Sequence, residues 1–155
     1  MEKNDIRKEL KVSAIENGTV IDHIPSENVL QVIRILNLTD YKDQLLIGTN
    51  LDSHKMGKKG IIKVSNRWFK SDDINKIALV APSATLIIIK NFAVTEKKQV
   101  EIPSHVENIV KCFNPNCITN TEDINTRFTV IDKRDLKLSC HYCEKITAKG
   151  NISFR

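Results

Sequence analysis

Apolar residues along the first hundred positions recur at two spacings, every second residue in some stretches and every third or fourth in others, which predicts strands interleaved with helices. Residues 10–15 and 19–24 read as strand, separated by the turn-forming pair Asn17-Gly18 and ended by Pro25. Ser26 is suited to cap a helix with Glu27 in its first turn, and Val29, Leu30, Ile33 and Leu36 return at helical spacing, so a helix is expected to about Asn37. Two further strands are predicted over 45–51 and 60–65, joined by a loop over 52–59. Ser71 should cap a second helix, with Asp72 and Asp73 near its positive end and Ile74, Ile77 and Ala78 on its apolar face, up to Ala81-Pro82. Strands over 84–90 and 92–95 complete the series. The order βαββαβ predicts an α+β fold of ferredoxin-like type, an antiparallel sheet with two helices on one face.

The pattern changes after Pro103-Ser104. Short apolar stretches over 105–111, 127–132 and 136–139 predict a small all-β unit, and among them lie the chain's only cysteines, Cys112, Cys117, Cys140 and Cys143. They form a CxxxxC and a CxxC pair. Each tight turn presents two thiolates to one ion, and two such turns complete a tetrahedron, so the spacing predicts one zinc ion in a structural site of the zinc-ribbon or rubredoxin-like kind. Four thiolates can also hold iron. No ligand position is left open, which excludes metal catalysis. Two domains follow, 1–104 and 105–155, the first able to fold on hydrophobic burial and the second dependent on its metal.

Charge and composition narrow the function classes. The 155 residues carry a formal charge of +5, spread so that neither part is strongly basic, and four thiolates with Zn2+ would bring the second part to about neutral. With aromatic content of 5%, that argues against a nucleic-acid surface. No apolar run approaches the roughly 18 residues of a membrane helix, and no secretory leader is recognisable, so a soluble cytoplasmic protein is expected. No catalytic triad, phosphate loop or acid/base carboxylate pair is apparent, so binding must carry the function.

Outside the cysteines the most distinctive run is GTVIDHIP, residues 18–25, which sets Asp22 beside His23 in an apolar strand. Alternation would send the two side chains to opposite faces unless the strand ends or bulges there. On residues alone, a local hydrogen-bonded pair is the more ordinary role for such a dipeptide.

GTVIDHIP, followed by MGKKGIIKV, ALVAPSATL and the two cysteine pairs, resembles the regulatory chain of aspartate carbamoyltransferase over nearly the whole sequence. The resemblance implies a non-catalytic subunit of an enzyme of pyrimidine biosynthesis. Its N-terminal domain would bind CTP or ATP, and in some members UTP, and would form a homodimer. Its zinc domain would dock on the catalytic chain, so that regulatory dimers bridge catalytic trimers. Carried onto this sequence, the nucleotide site comprises Val12, Ser13, Ala14, Ile15, Asp22, His23, Ile61, Lys63, Ile89, Val94 and Lys97, and the docking surface lies in 114–120 and 140–145. Ser13, Ile87 and Phe92 depart from the family's pattern at positions that bear on base discrimination.

Two alternatives stand beside this reading. A zinc-ribbon nucleic-acid-binding protein would use Lys55, Lys58, Lys59 and Arg67 as a phosphate patch with Trp68 as stacking platform. A rubredoxin-like electron carrier would hold iron and absorb visible light.

Overall fold

Strand β1 (Gly18–Ile24) is the centre of the first unit. It hydrogen-bonds antiparallel to β3 (Gly57–Ser65) on one side and β4 (Thr85–Lys90) on the other, while β2 (Leu45–Ser53) and β5 (Ala93–Gln99) form the edges, giving the order β2-β3-β1-β4-β5. The computed structural model describes residues 14–155. The expected strand over 10–15 falls largely outside them, and the described end of it, 14–15, is not strand. Helices α1 (Val29–Ile35) and α2 (Ser71–Val80) follow β1 and β3, so the arrangement is ferredoxin-like α+β with one added edge strand.

Alternation along the strands separates two faces. Ile21, Ile62, Val64 and Leu86 share one face with Val32, Ile77 and Ala78 of the helices in the buried core. The helix register differs from the expectation at one position: Leu30 is 63% exposed and Val32 is buried in its place. α1 passes close over Gly60; a Cβ there would lie 2.0 Å from the Val29 Cγ2 atom. Neither predicted serine cap forms. The Ser26 hydroxyl instead accepts the Asn50 N–H at 3.2 Å, and a 3-10 turn over Ser26–Asn28 precedes α1. Ser71 is the first residue of α2, with Lys70 at the cap position. Asn28 Nδ2 donates to the Val80 carbonyl at 3.0 Å, tying the start of α1 to the end of α2.

Two strands run further than their apolar content suggests. The loop expected over 52–59 is a hairpin whose strands reach Ser53 and resume at Gly57, because cross-strand pairing continues through Leu51–Lys59 and Ser53–Gly57. Strand β5 continues to Gln99 along the charged residues 96–98, held by its pairing to β4. Asn91 and Phe92, at φ 51° and 64°, form the turn before it, so Phe92 is not part of the strand.

The second unit, Glu101–Arg155, has a sheet of order β10-β9-β8-β6, built from β6 (His105–Glu107), β8 (Arg127–Asp132), β9 (Lys137–Cys140) and β10 (Ile146–Ala148). A two-stranded ladder pairs β7 (Val110–Lys111) with β11 (Ser153–Phe154). The single strand expected over 105–111 is thus two, broken at Asn108, which adopts φ 54°. A short helix α3 (Ile118–Thr121), not expected from the sequence, follows the second cysteine. The core is small: Val106, Ile109, Val110, Phe128, Val130, Leu136 and Leu138.

Candidate functional site

The four cysteines converge. Cys112 ends the segment after β7, Cys117 precedes α3, Cys140 ends β9 and Cys143 lies in the turn that leads to β10. Their Sγ atoms all lie within 4.8 Å of one another, with Cys112–Cys143 at 3.6 Å and Cys117–Cys140 at 3.8 Å. A disulfide would need about 2.05 Å. A tetrahedral ion at ~2.3 Å from each sulfur requires sulfur–sulfur edges of ~3.8 Å, so the donor set fits a four-coordinate thiophilic metal.

Backbone turns fix both knuckles. The Cys117 N–H donates to the Asn114 carbonyl at 3.0 Å, and Asn120 Nδ2 donates to the carbonyls of Cys112 and Asn114, each at 2.8 Å. In the second knuckle the Glu144 N–H reaches the Cys140 carbonyl and the Cys140 N–H the Lys145 carbonyl, both at 3.0 Å, with Glu144 in the left-handed region at φ 63°. Burial pushes the Cys112 thiol up to about 12 and raises Cys140 as well. At Cys143 burial also pushes upward, but hydrogen bonds from the Lys145 backbone, Asn114, Cys112 and Cys140 outweigh it and hold the thiol down to about 7. A cation among them reverses the unfavourable cases by stabilising the thiolates. Thr119, buried, donates its hydroxyl to Cys117 Sγ at 3.1 Å. Thr119→Val should therefore weaken metal retention about 10-fold, measurable by competition with a chromophoric chelator; retention equal to the parent chain's would show the contact to be incidental.

The second candidate site lies on the sheet face opposite the helices. Cross-strand partners form one continuous row, Leu46–Lys63–Val20–Ile87–Lys97, from β2 to β5. Ile15, Val20 and Ile89 are buried together on this face, with Leu46, Ile61 and Ile87 packed around them. Next to the row, β1 bulges: its register against β3 slips between Ile21 and Ile24, and His23 adopts φ 57°. The bulge breaks the alternation that would have set Asp22 and His23 on opposite faces. The His23 N–H donates to Asp22 Oδ1 at 2.6 Å, the imidazole Nδ1 lies 3.2 Å from Thr85 Oγ1, and Ser83 Oγ donates to the His23 carbonyl at 2.8 Å.

Beside the bulge is an open cavity of about 760 Å3, lined among others by His23, Ile61, Lys63, Lys59 and residues of the β2–β3 hairpin. Lys59 Nζ sits 2.9 Å from Asp22 Oδ1. Partial burial lowers the Lys63 pKa against the opposing influence of Asp22, so its ammonium is short of water and gains from an anionic ligand.

Of the residues inferred from the resemblance, the structure brings His23, Ile61 and Lys63 to this cavity, with Asp22 joined to it through Lys59. Ile15 and Ile89 lie farther along the same face, Val94 pairs with Ile89, and Lys97 with Ile87, both Val94 and Lys97 exposed. Ala14 is exposed, and Val12 and Ser13 lie outside the described residues. Lys59 and the hairpin residues Asn50, Ser53 and His54 were missed. The signal for Lys59 was the two-residue period Lys59, Ile61, Lys63, obscured by reading 52–59 as loop. Trp68 lines a different cavity from Lys55 and Lys59, and Lys58 pairs with Asp52 at 2.5 Å, so the suggested nucleic-acid patch does not assemble around the tryptophan.

Two family models match the chain: the allosteric domain of the aspartate carbamoyltransferase regulatory chain over residues 10–101, and its metal binding domain over 104–153. Proteins named aspartate carbamoyltransferase regulatory chain are similar along almost their full length. The one from Thermococcus sibiricus is 54% identical over 145 residues, 94% of this chain and 96% of its own. The one from Pyrococcus horikoshii is 52% identical over 146 residues, 93% and 96%, and that from Phocaeicola vulgatus 49% over 152 residues, 98% of each. The chain belongs to the aspartate carbamoyltransferase regulatory chains, non-catalytic subunits with an allosteric and a metal-binding domain.

Proposed function

We propose that this chain senses nucleoside triphosphates of the CTP and ATP type, UTP among them, on the helix-free face of its N-terminal sheet, and transmits their binding to the catalytic chain of a cytoplasmic aspartate carbamoyltransferase. The observation that carries the reading is the row of cross-strand partners with Lys63 near one end and Lys97 at the other, beside the Asp22–His23 bulge. A carboxylate and backbone groups can read a base edge, apolar Val20 and Ile87 can pack against the nucleoside, and two ammonium groups can meet phosphate. Ile87 lies in the middle of the row and offers no polar atom to the base, so discrimination would fall to the Asp22 end.

The metal is one zinc ion with a structural role, since four thiolates close its coordination sphere. The surface that docks on the catalytic chain would comprise 114–120 and 140–145, which include the exposed apolar residues Ile118 and Tyr142, with exposed Phe113 adjacent. Homodimers formed through the N-terminal domain would bridge catalytic trimers, and effectors would act through unequal affinity for the quaternary states of that assembly.

Calorimetric titration of the chain with CTP and with ATP tests the site. Lys63→Ala and Lys97→Ala should each weaken binding about 10-fold or more, the loss of one charge-assisted contact. Unchanged affinity in both variants would discard the site. Activity of the complex with the catalytic chain, measured with and without each nucleotide, then gives the sign of the response.

A further inference from the structure

The opposite face of the same sheet carries a second concavity that the nucleotide reading does not use. It has a volume of about 430 Å3 and is lined by β1, β4 and β5 of the sheet, by Trp68 and Phe69 before α2, and by Ile74 of α2. On the sheet, the buried Leu86 and the partly exposed Ile88 of β4 line it, and their cross-strand partners on β5 are Lys98 and Glu96. Across from them stand Trp68, Phe69 and Ile74.

The aromatic segment is held in place. Thr19 Oγ1, fully buried in β1, donates to the Arg67 carbonyl at 2.7 Å, and the Arg67 guanidinium lies 5.0 Å from the centre of the Phe69 ring. Trp68 is left 46% exposed beside the cleft. An indole half in water on a fixed segment, facing an aliphatic wall, leaves apolar area for a flat ligand to cover. The charged groups lining the cleft are Lys90, Lys98 and Glu96, two cations against one anion.

We propose that this cleft binds a small organic monoanion with a flat apolar body, of the aromatic carboxylate class. The ring slides between Trp68 and the Leu86–Ile88 wall, and the carboxylate meets the ammonium groups of Lys98 and Lys90, with Glu96 disfavouring more highly charged ligands. Cleft volume, apolar walls and a few polar groups are the ordinary attributes of a small-molecule site, and the charge balance selects the sign of the ligand. The site is separate from the nucleotide row because alternation places Leu86, Ile88 and Lys98 on the face opposite to Val20, Ile87 and Lys97.

Trp68 is the chain's only tryptophan, so its indole N–H gives a single side-chain signal in a proton–nitrogen correlation spectrum. Titration of the full chain with 1-naphthoate should move that signal saturably. Lys98→Glu should weaken the binding about 10-fold, Glu96→Gln should strengthen it, and neutral 1-naphthalenemethanol should bind more weakly than the acid. Saturating CTP should leave the naphthoate affinity unchanged. The proposal is overturned if the indole signal does not saturate, if the neutral alcohol binds as well as the acid, if Lys98→Glu has no effect, or if CTP displaces the probe. These outcomes do not depend on whether the nucleotide site itself is correct.

Discussion

Removing the metal with a thiol-competing chelator unfolds residues 101–155 and leaves the N-terminal unit folded. The reason is size. The metal-bearing unit has about 55 residues and a core of seven apolar side chains, and a domain of that length buries only roughly 60% of its unfolded surface. Binding of zinc contributes on the order of 10–16 kcal/mol in zinc-finger peptides, comparable to the whole stability of a typical domain. The geometry gives the same answer locally: without an ion, three buried thiols and a half-buried one would crowd within 4.8 Å with little to attract them. Far-UV circular dichroism should lose the contribution of the second unit while Trp68 fluorescence, which reports on the first, stays native. In size-exclusion the stripped chain should no longer comigrate with the catalytic chain. An intact complex after verified metal loss would contradict the assignment of docking to this unit.

Gly18→Ala should destabilise the N-terminal unit by about 3 kcal/mol or more, by combining a backbone conformation unfavourable to L-residues with a hard collision. Gly18 has φ +140°, and a Cβ there would lie 2.0 Å from the Val64 carbonyl oxygen. The carbonyl belongs to the ladder with β3, so relief requires moving the central strand, and with it the Asp22–His23 bulge four residues on. Urea unfolding followed by Trp68 emission measures the loss, and CTP affinity should fall with it. An unfolding free energy within ~0.5 kcal/mol of the parent chain's would show that the strand end adjusts freely.

The parts of the molecule legible in the sequence are those specified by neighbours in the chain. The cysteine pairs needed only their own spacing, and the ferredoxin-like order of strands and helices needed only local periodicity. What escaped depends on partners far away. The hydroxyl of Ser26 is occupied by the N–H of Asn50, so no rule about caps could foresee its loss. The choice of Val32 over Leu30 for the core depends on how α1 lies over Gly60. The strand predicted to end at Thr95 continues through the apolar-poor residues 96–99 because they pair with β4. Pro25 hinted at an irregular end to β1, while the φ of His23 is set with Thr85 and Ser83, some sixty positions away. Lys59, polar and in a stretch with two glycines, reaches the cavity and Asp22 because the hairpin continues through it.

The row from Lys63 to Lys97 also acts as a ruler. Two residues, Val20 and Ile87, stand between the lysines, which makes three interstrand steps of about 4.8 Å, or roughly 14 Å of backbone separation. Sheet spacing is among the least adjustable lengths in a protein, so in the proposed site a ligand held by both lysines would have to span this backbone separation less the reach of the two side chains, and truncating it from one end would forfeit a whole contact. On that proposal, ligand length would be read by the hydrogen-bond ladder independently of base identity.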